Sequence, residues 1–561
     1  MSVNLYTKDG KNLSGQPWNV YPRPQLKRDS FICLNGEWDF AVNERVYTHK
    51  ILVPFAPESL LSGVATTFSD YDILWYRREF EIPKGFKKDR VILHFGAIDQ
   101  KAEVFVNGIA VGENVGGYLP FSFDITEYLK DKNVVEVKVE DTLNDFIMPY
   151  GKQCRKRGGM WYTPVTGIWQ TVWLESVPKD YIRDLSVITD KNSATITVDG
   201  VVEGVVTIQT PDGETSTKLA NGRAKIEFEN PTFWSPEDPY LYRFVIESGE
   251  DEIESYFALR TLDIREIDGV KRLCLNGKPY FFHGLLDQGY WSDGLFTPAT
   301  PQGFEQDILA MKSLGFNTLR KHIKVEPERF YYDCDRLGMV VFQDMVNNGD
   351  YSFIRDTALP TVGIQRLSDK NMHRDEKTRE AFIGSMVDTV IALKNHPCIC
   401  YWTIFNEGWG QFCSSEMYDV LRDIDNSRFI DSASGWFAGG KTDVDSKHVY
   451  FKKVKCTASD KPLVLSEFGG YSYKPEGHVF NTERTYGYGK YENREEFVKA
   501  VRNLYENEII PLISKGLCAT VYTQVSDVED ETNGLLSYDR EILKILPEEF
   551  IDISKKMREI L

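Results

Sequence analysis

Two short apolar runs in this sequence end in glutamate. Residues 401–405 (YWTIF) lead into Asn406-Glu407-Gly408-Trp409, and residues 462–465 (PLVL) lead into Ser466-Glu467-Phe468-Gly469. Desolvating an unpaired carboxylate is costly, so a buried strand that delivers one to its own end points to a place where the charge is used. Two such glutamates suit cleavage of a glycosidic bond: one protonates the leaving oxygen while the other stands across the anomeric carbon. A separation of about 5–5.5 Å lets the second carboxylate attack and gives retention of configuration, whereas about 6.5–9.5 Å leaves room for water and gives inversion. The plain alternative is a pair of carboxylates held in ion pairs or helix caps.

Other residues fall near the same strand ends. Asn406 would present an amide to a sugar 2-hydroxyl, a contact that strengthens in the transition state; helix capping is its ordinary alternative. Trp409, Trp436, Tyr450, Tyr471 and Tyr522 offer aromatic faces for the apolar side of a sugar, though each fits a core position as well. The run Asn317 to His322 (NTLRKH) places Arg320 and His322 at the end of another strand, as groups able to orient a carboxylate or a hydroxyl. Asp287 and Gln288, after His283-Gly284, are weaker candidates of the same kind. No His-Glu-x-x-His or His/Cys cluster argues for a metal, and no cofactor is expected. The G-x-S-x-G turn of serine hydrolases is also missing.

Positioning such groups takes a scaffold, and 561 residues exceed what one hydrophobic core organises. Through about residue 178 the chain reads as short alternating runs with turn signals, for example Lys101 to Val106 ahead of Asn107-Gly108, and Asn133 to Glu140. That pattern predicts an all-β jelly-roll sandwich over 1–178. A shorter alternating region, 179–263, fits an immunoglobulin-like β-sandwich. From 264 to 561 helical periods alternate with short buried strands such as Val340 to Phe342, which predicts a catalytic (β/α)8 TIM barrel. Doubly wound nucleotide folds are disfavoured because neither G-x-G-x-x-G nor G-x-x-x-x-G-K-[ST] appears. Two long connections, Val346 to Asp375 and Phe468 to Asn493, are expected to wall the barrel's C-terminal mouth.

With 84 acidic against 66 basic residues the net charge is -18, a field that repels phosphate backbones and anionic membranes, so neither nucleic acid nor membrane is an expected partner. The first residues lack an apolar targeting segment, and the nine cysteines show no CxxC pairing. A cytoplasmic location with free thiols is the expectation.

These features resemble glycoside hydrolase family 2, the family of β-galactosidases, β-glucuronidases and β-mannosidases. The resemblance runs through Tyr21-Pro22-Arg23-Pro24, Leu34-Asn35-Gly36-Glu37-Trp38, Phe105-Val106-Asn107-Gly108, Thr166-Gly167-Ile168-Trp169, Asn317 to Arg320 and Cys334 to Gly338. It ends at Asn406-Glu407 and Ser466 to Gly469. It implies the same three domains, with Glu407 as acid/base and Glu467 as nucleophile of a two-step retaining mechanism, and often a homo-oligomer. Departures bear on the substrate. The family's Arg-x-Ser-His is Arg320-Lys321-His322 here, so a histidine role does not carry over by position. Glucuronidases of the family share an Asn-x-Lys pair beyond the nucleophile, whereas residues 530–534 (DETNG) have no lysine. Asp344 is followed by Met345 and Val346, unlike the magnesium site of the large β-galactosidases. The expectation is therefore an exo-acting β-glycosidase of β-galactosidase type acting on a terminal sugar. A β-glucuronidase, a β-mannosidase and an arabinosidase are the alternatives within the family, and a non-catalytic carbohydrate-binding protein or a structural scaffold those outside it.

Overall fold

The computed structural model describes residues 2–361, 364, 369–437, 439–450, 452–455 and 459–560. Its first part is an antiparallel sandwich. One sheet orders Ile32–Cys33, Val172–Val177, Arg90–Phe95 and Phe121–Asp124; the other orders His49–Val53, Gly36–Val42, Ile73–Phe80, Asn133–Glu140, Lys101–Val106 and Ile109–Val115. Alternation decides which side chains enter: Ala102, Val104 and Val106 are buried while Lys101 and the residues between them are not. They meet Val135, Val137 and Val139 and, from the facing sheet, Val91, Leu93 and Leu174 in one core. This is the jelly-roll sandwich that the residue pattern predicts.

The next part is a seven-strand antiparallel run from Asp184–Thr189 to Asp251–Phe257. A single pair, Ala220 with Arg223, joins its two halves. The halves fold onto each other so that Ala194 and Ile196 of one share a core with Val206, Ile208, Phe244 and Ile246 of the other. The result is the immunoglobulin-like layer.

The rest closes into a barrel of eight strands: β1 (Phe282–Asp287), β2 (Thr318–Lys321), β3 (Val340–Asp344), β4 (Ile399–Asn406), β5 (Phe429–Ser434), β6 (Asp445–Val449), β7 (Leu463–Gly469) and β8 (Leu517–Thr523). Their ladders are parallel, and seven of the strands are buried throughout, as a sheet covered on both faces requires, while β6 exposes Lys447. Helices over Gln302–Ser313, Glu328–Leu337, Glu376–Leu393, Ser414–Ile424 and Arg494–Leu504 cover the outside.

The barrel departs from strict alternation of strand and helix. Among the described residues no helix joins β5 to β6 or β6 to β7. Ten residues, 435–444, are too few for a helical crossover, and β5 and β6 form no ladder. They are held by side chains and single contacts instead, including Asp443 N–H to Ile430 O at 3.0 Å and Ser434 Oγ to Ser446 Oγ at 3.3 Å. No helix among the described residues is long and apolar enough to cross a membrane.

Candidate active site

Glu407 follows directly on β4 with φ of 53°, a left-handed backbone that non-glycine residues adopt at a cost. Its N–H is tied to Ser434 O at 3.0 Å, and Trp409 N–H returns to Asn406 O at 3.1 Å, so the strand end and the turn after it hold the conformation in place. Glu467 is aimed by a different device. On β7, Leu465 pairs with Thr520 and Phe468 with Tyr522, so two residues, Ser466 and Glu467, oppose one on β8. This bulge turns the side chains of two successive residues toward the barrel axis. Ser466 Oγ meets Ser446 Oγ at 2.6 Å and accepts from Ser434 at 3.0 Å, while Glu467 faces the mouth.

A carboxylate oxygen of Glu407 and one of Glu467 lie within 4.8 Å of each other. So close an approach fits the roughly 5–5.5 Å carboxyl separation that goes with retention better than the roughly 6.5–9.5 Å that goes with inversion. His448, from the end of β6, stands between them. Its Nδ1 is 2.8 Å from Glu407 Oε1, and its Nε2 is 3.0 Å from Ser434 Oγ and 3.6 Å from Glu467 Oε1.

Arg320 organises the floor. Nε donates to Asp344 at 2.9 Å, Nη1 to Glu467 Oε1 at 3.0 Å and to Ser466 O at 3.1 Å, and Nη2 to Asn406 Oδ1 at 2.9 Å. With Oδ1 taken, the Asn406 amide nitrogen is left to donate into the pocket, where a sugar hydroxyl would be read. His322 meets Asp344 through Nδ1 at 2.7 Å. Burial holds His322 below the ordinary imidazole range, which assigns the proton to Nδ1 and leaves Nε2 as an acceptor. Tyr450 donates its hydroxyl to Glu467 Oε2 and lies 3.0 Å from Thr523 Oγ1. Burial, reinforced by the charge of Glu467, raises the Tyr450 phenol well above its usual range and keeps it a donor.

Burial alone would raise the Glu467 carboxyl. His448 and Arg320, with the Tyr450 hydrogen bond, reverse that and bring it down to about 2. Glu467 is therefore ionised at any ordinary pH, the form in which a carboxylate can attack.

The structure thus gathers Glu407, Glu467, Asn406, Arg320, His322 and Tyr450 in one pocket, and Trp436 closes its rim against His448 with ring centroids 5.6 Å apart. Three other residues go elsewhere. Tyr522 is wholly buried on the helix side of β8 against Phe468 and Tyr505, so its ring offers no face to a sugar. Asp287 spends both oxygens on Lys321 Nζ at 2.7 Å and Gly289 N–H at 2.9 Å, within a charge network beneath the floor. Gln288 is buried and contacts neither glutamate.

Two long connections form the walls. Asn347 Nδ2 donates to Trp409 O at 2.6 Å on one side, and Tyr488 stacks on Tyr450 at 3.9 Å on the other. Part of the first connection, 362, 363 and 365–368, lies outside the described residues. The sandwich supplies a third wall: Tyr150 OH donates to Gly349 O at 2.8 Å, Trp161 packs on Trp409 at 5.0 Å, and Tyr162 OH donates to Glu531 Oε2 at 2.8 Å. Reading the sequence did not single out His448, Glu531 or these sandwich residues. His448 had a signal: it precedes Tyr450 by two, the strand period that puts both side chains on one face.

Three family models match the chain in order. Glycosyl hydrolases family 2, sugar binding domain, matches residues 26–178; Glycosyl hydrolases family 2 matches 180–260; and Glycosyl hydrolases family 2, TIM barrel domain, matches 266–514. A β-galactosidase of Thermoanaerobacter pseudethanolicus is 27% identical over 386 residues, covering 64% of this chain and 48% of that protein. A β-glucuronidase of Felis catus is 25% identical over 450 residues, 69% of this chain and 65% of that protein. The chain spans about half the length of the first curated relatives it matches, 48% and 50%. Among solved structures, a β-D-glucuronidase of Dictyoglomus thermophilum superposes with a TM-score of 0.73 at 19% identity, over 96% of this chain and 98% of that one.

Proposed function

This chain belongs to family 2 of the glycosyl hydrolases, and from that premise we propose that it is a retaining β-glycosidase that removes a terminal sugar. The observation that carries the reading is the approach of Glu407 and Glu467 to within 4.8 Å. Glu467 attacks the anomeric carbon as the bond to the aglycone oxygen breaks, and Glu407 gives that oxygen its proton, so the aglycone leaves as an alcohol. Glu407, now a carboxylate, takes a proton from water as the water displaces Glu467, which returns both groups to their starting states. Asn406 and His322 hold hydroxyls of the sugar, and Arg320 and Tyr450 keep the nucleophile ionised and oriented.

For the sugar, β-glucuronides take precedence over the β-galactosides expected from the sequence. Most of the relatives named for an activity are β-glucuronidases, although the first is a β-galactosidase. Following hydrolysis of aryl β-glycosides by proton NMR tests the mechanism: the first sugar released is the β-anomer, and an α-anomer appearing first overturns it.

A further inference from the structure

The sandwich carries an ammonium group into the barrel's mouth. The backbone of Lys152 is fixed on both sides. Gly151 N–H donates to Asn347 O at 3.1 Å, the Lys152 carbonyl accepts from Tyr162 N–H at 3.0 Å, and the Gln153 side chain is tied to Asp99 at 2.7 Å. Four lysines are buried among the described residues. Lys321 pairs with Asp287 and Glu326, Lys324 with Glu326, and Lys544 with Asp527. Lys152, 8% exposed, has neither a hydrogen-bond acceptor nor a carboxylate within ion-pair distance among the described residues. Its Nζ stands over the Trp161 ring at 5.7 Å, and its charge acts on both His322 and Glu531. Trp161 packs in turn on Trp409, two residues after Glu407, so the ammonium sits on the pocket side of the sandwich.

The lysine stem is buried while its ammonium has no ion-pair partner, so the charge is free to be met by an anion that a ligand brings. We propose that Lys152 is the specificity-determining residue of this site, receiving the carboxylate of a terminal uronic acid whose anomeric carbon faces Glu467. The proposal rests on the glycosidase reading above and gives it a substrate class, the β-hexuronides. It also accounts for the missing lysine at 530–534, because the cation comes from another domain. The neighbouring Glu531 does not oppose this. Burial raises its carboxyl, against Lys152, Tyr162 and Gln524, to about 7, so at mildly acidic pH it is largely protonated and adds little repulsion.

The test compares the unsubstituted 561-residue chain with Lys152→Met and Lys152→Arg, titrating each calorimetrically with glucuronic acid, galacturonic acid, glucose and galactose. The wild type binds a uronic acid more tightly than its neutral counterpart; Lys152→Met reduces that ratio by about 10- to 100-fold, and Lys152→Arg restores part of it. A wild type without preference for the uronic acid, or a Met variant that keeps the preference, overturns the proposal. Turnover of 4-nitrophenyl β-glucuronide and β-galactoside is measured alongside. If neither is cleaved while uronic acid binding still depends on Lys152, the glycosidase reading fails and the uronate site stands. If β-glycosides are cleaved with no dependence of the uronic/neutral ratio on Lys152, the reverse holds.

Discussion

His448 hydrogen-bonds Glu407 at 2.8 Å through Nδ1 while its other ring nitrogen rests on the Ser434 hydroxyl at 3.0 Å, so the proposed acid/base glutamate is positioned by an imidazole that is itself anchored. The anchor exists because β5 and β6 lack a ladder: Ser434, Ser446 and Ser466 fill the gap with mutual hydroxyl contacts.

On the proposed mechanism, replacing His448 by phenylalanine misplaces the proton donor and leaves the nucleophile present. Because general acid catalysis is worth roughly 10²–10⁴ in rate, we expect kcat/KM to fall by about 10- to 100-fold for alkyl glycosides, which need the proton, and much less for 4-nitrophenyl glycosides, which need it little. Equal losses for both classes would assign His448 a structural role only.

Arg320 and Glu467 are predicted to behave oppositely when removed. Glu467→Gln takes away the proposed nucleophile at nearly constant volume and should cost at least about 10⁴-fold in kcat with the fold kept. Arg320→Met leaves Asp344 and Glu467 buried without their cation and should cost about 3–5 kcal/mol of stability, beyond any loss of activity. Thermal unfolding of the two variants side by side decides this, and equal melting temperatures would refute it.

Tyr450 favours the ionised form of Glu467 by donating to it. Tyr450→Phe removes a hydrogen bond to the charged state, so the Glu467 pKa rises and the acid limb of the kcat/KM profile moves to higher pH. The limb of the wild type should lie well below pH 4.5, the ordinary glutamate value from which Glu467 is lowered. An acid limb that stays put in the variant would remove Tyr450 from this role.

Much of this was legible in the residues because local pattern and chemistry agreed. Asn133 to Glu140 alternates and forms a strand, and two apolar runs ending in glutamate became β4 and β7 with those glutamates together. What was not legible depended on distant contact. The bulge at Ser466-Glu467 is a property of register against β8, and Tyr522 looked like a strand-end aromatic until the parity of β8 placed its ring on the helix side. Lys152 lies 255 and 315 residues before the two glutamates, in a different domain, and only docking of the sandwich on the barrel brings it to the pocket.

Glu531 couples this docking to pH. Its carboxyl is buried, accepts from Tyr162 of the sandwich at 2.8 Å and from Gln524 at 2.6 Å, and is raised from 4.5 to about 7. An acid whose folded pKa exceeds its unfolded one holds more protons when folded, so stability falls as pH rises between the two values. From about pH 4.5 to 7 this one group withdraws roughly 3 kcal/mol. Glu531→Gln carries no charge at any pH and keeps an acceptor for Tyr162. Its melting temperature should therefore decline less than that of the wild type over this range, with the difference widening toward pH 8. Parallel pH dependences in thermal unfolding would show that Glu531 is ionised in the folded protein throughout, and that the proposed uronate pocket carries its charge from the start.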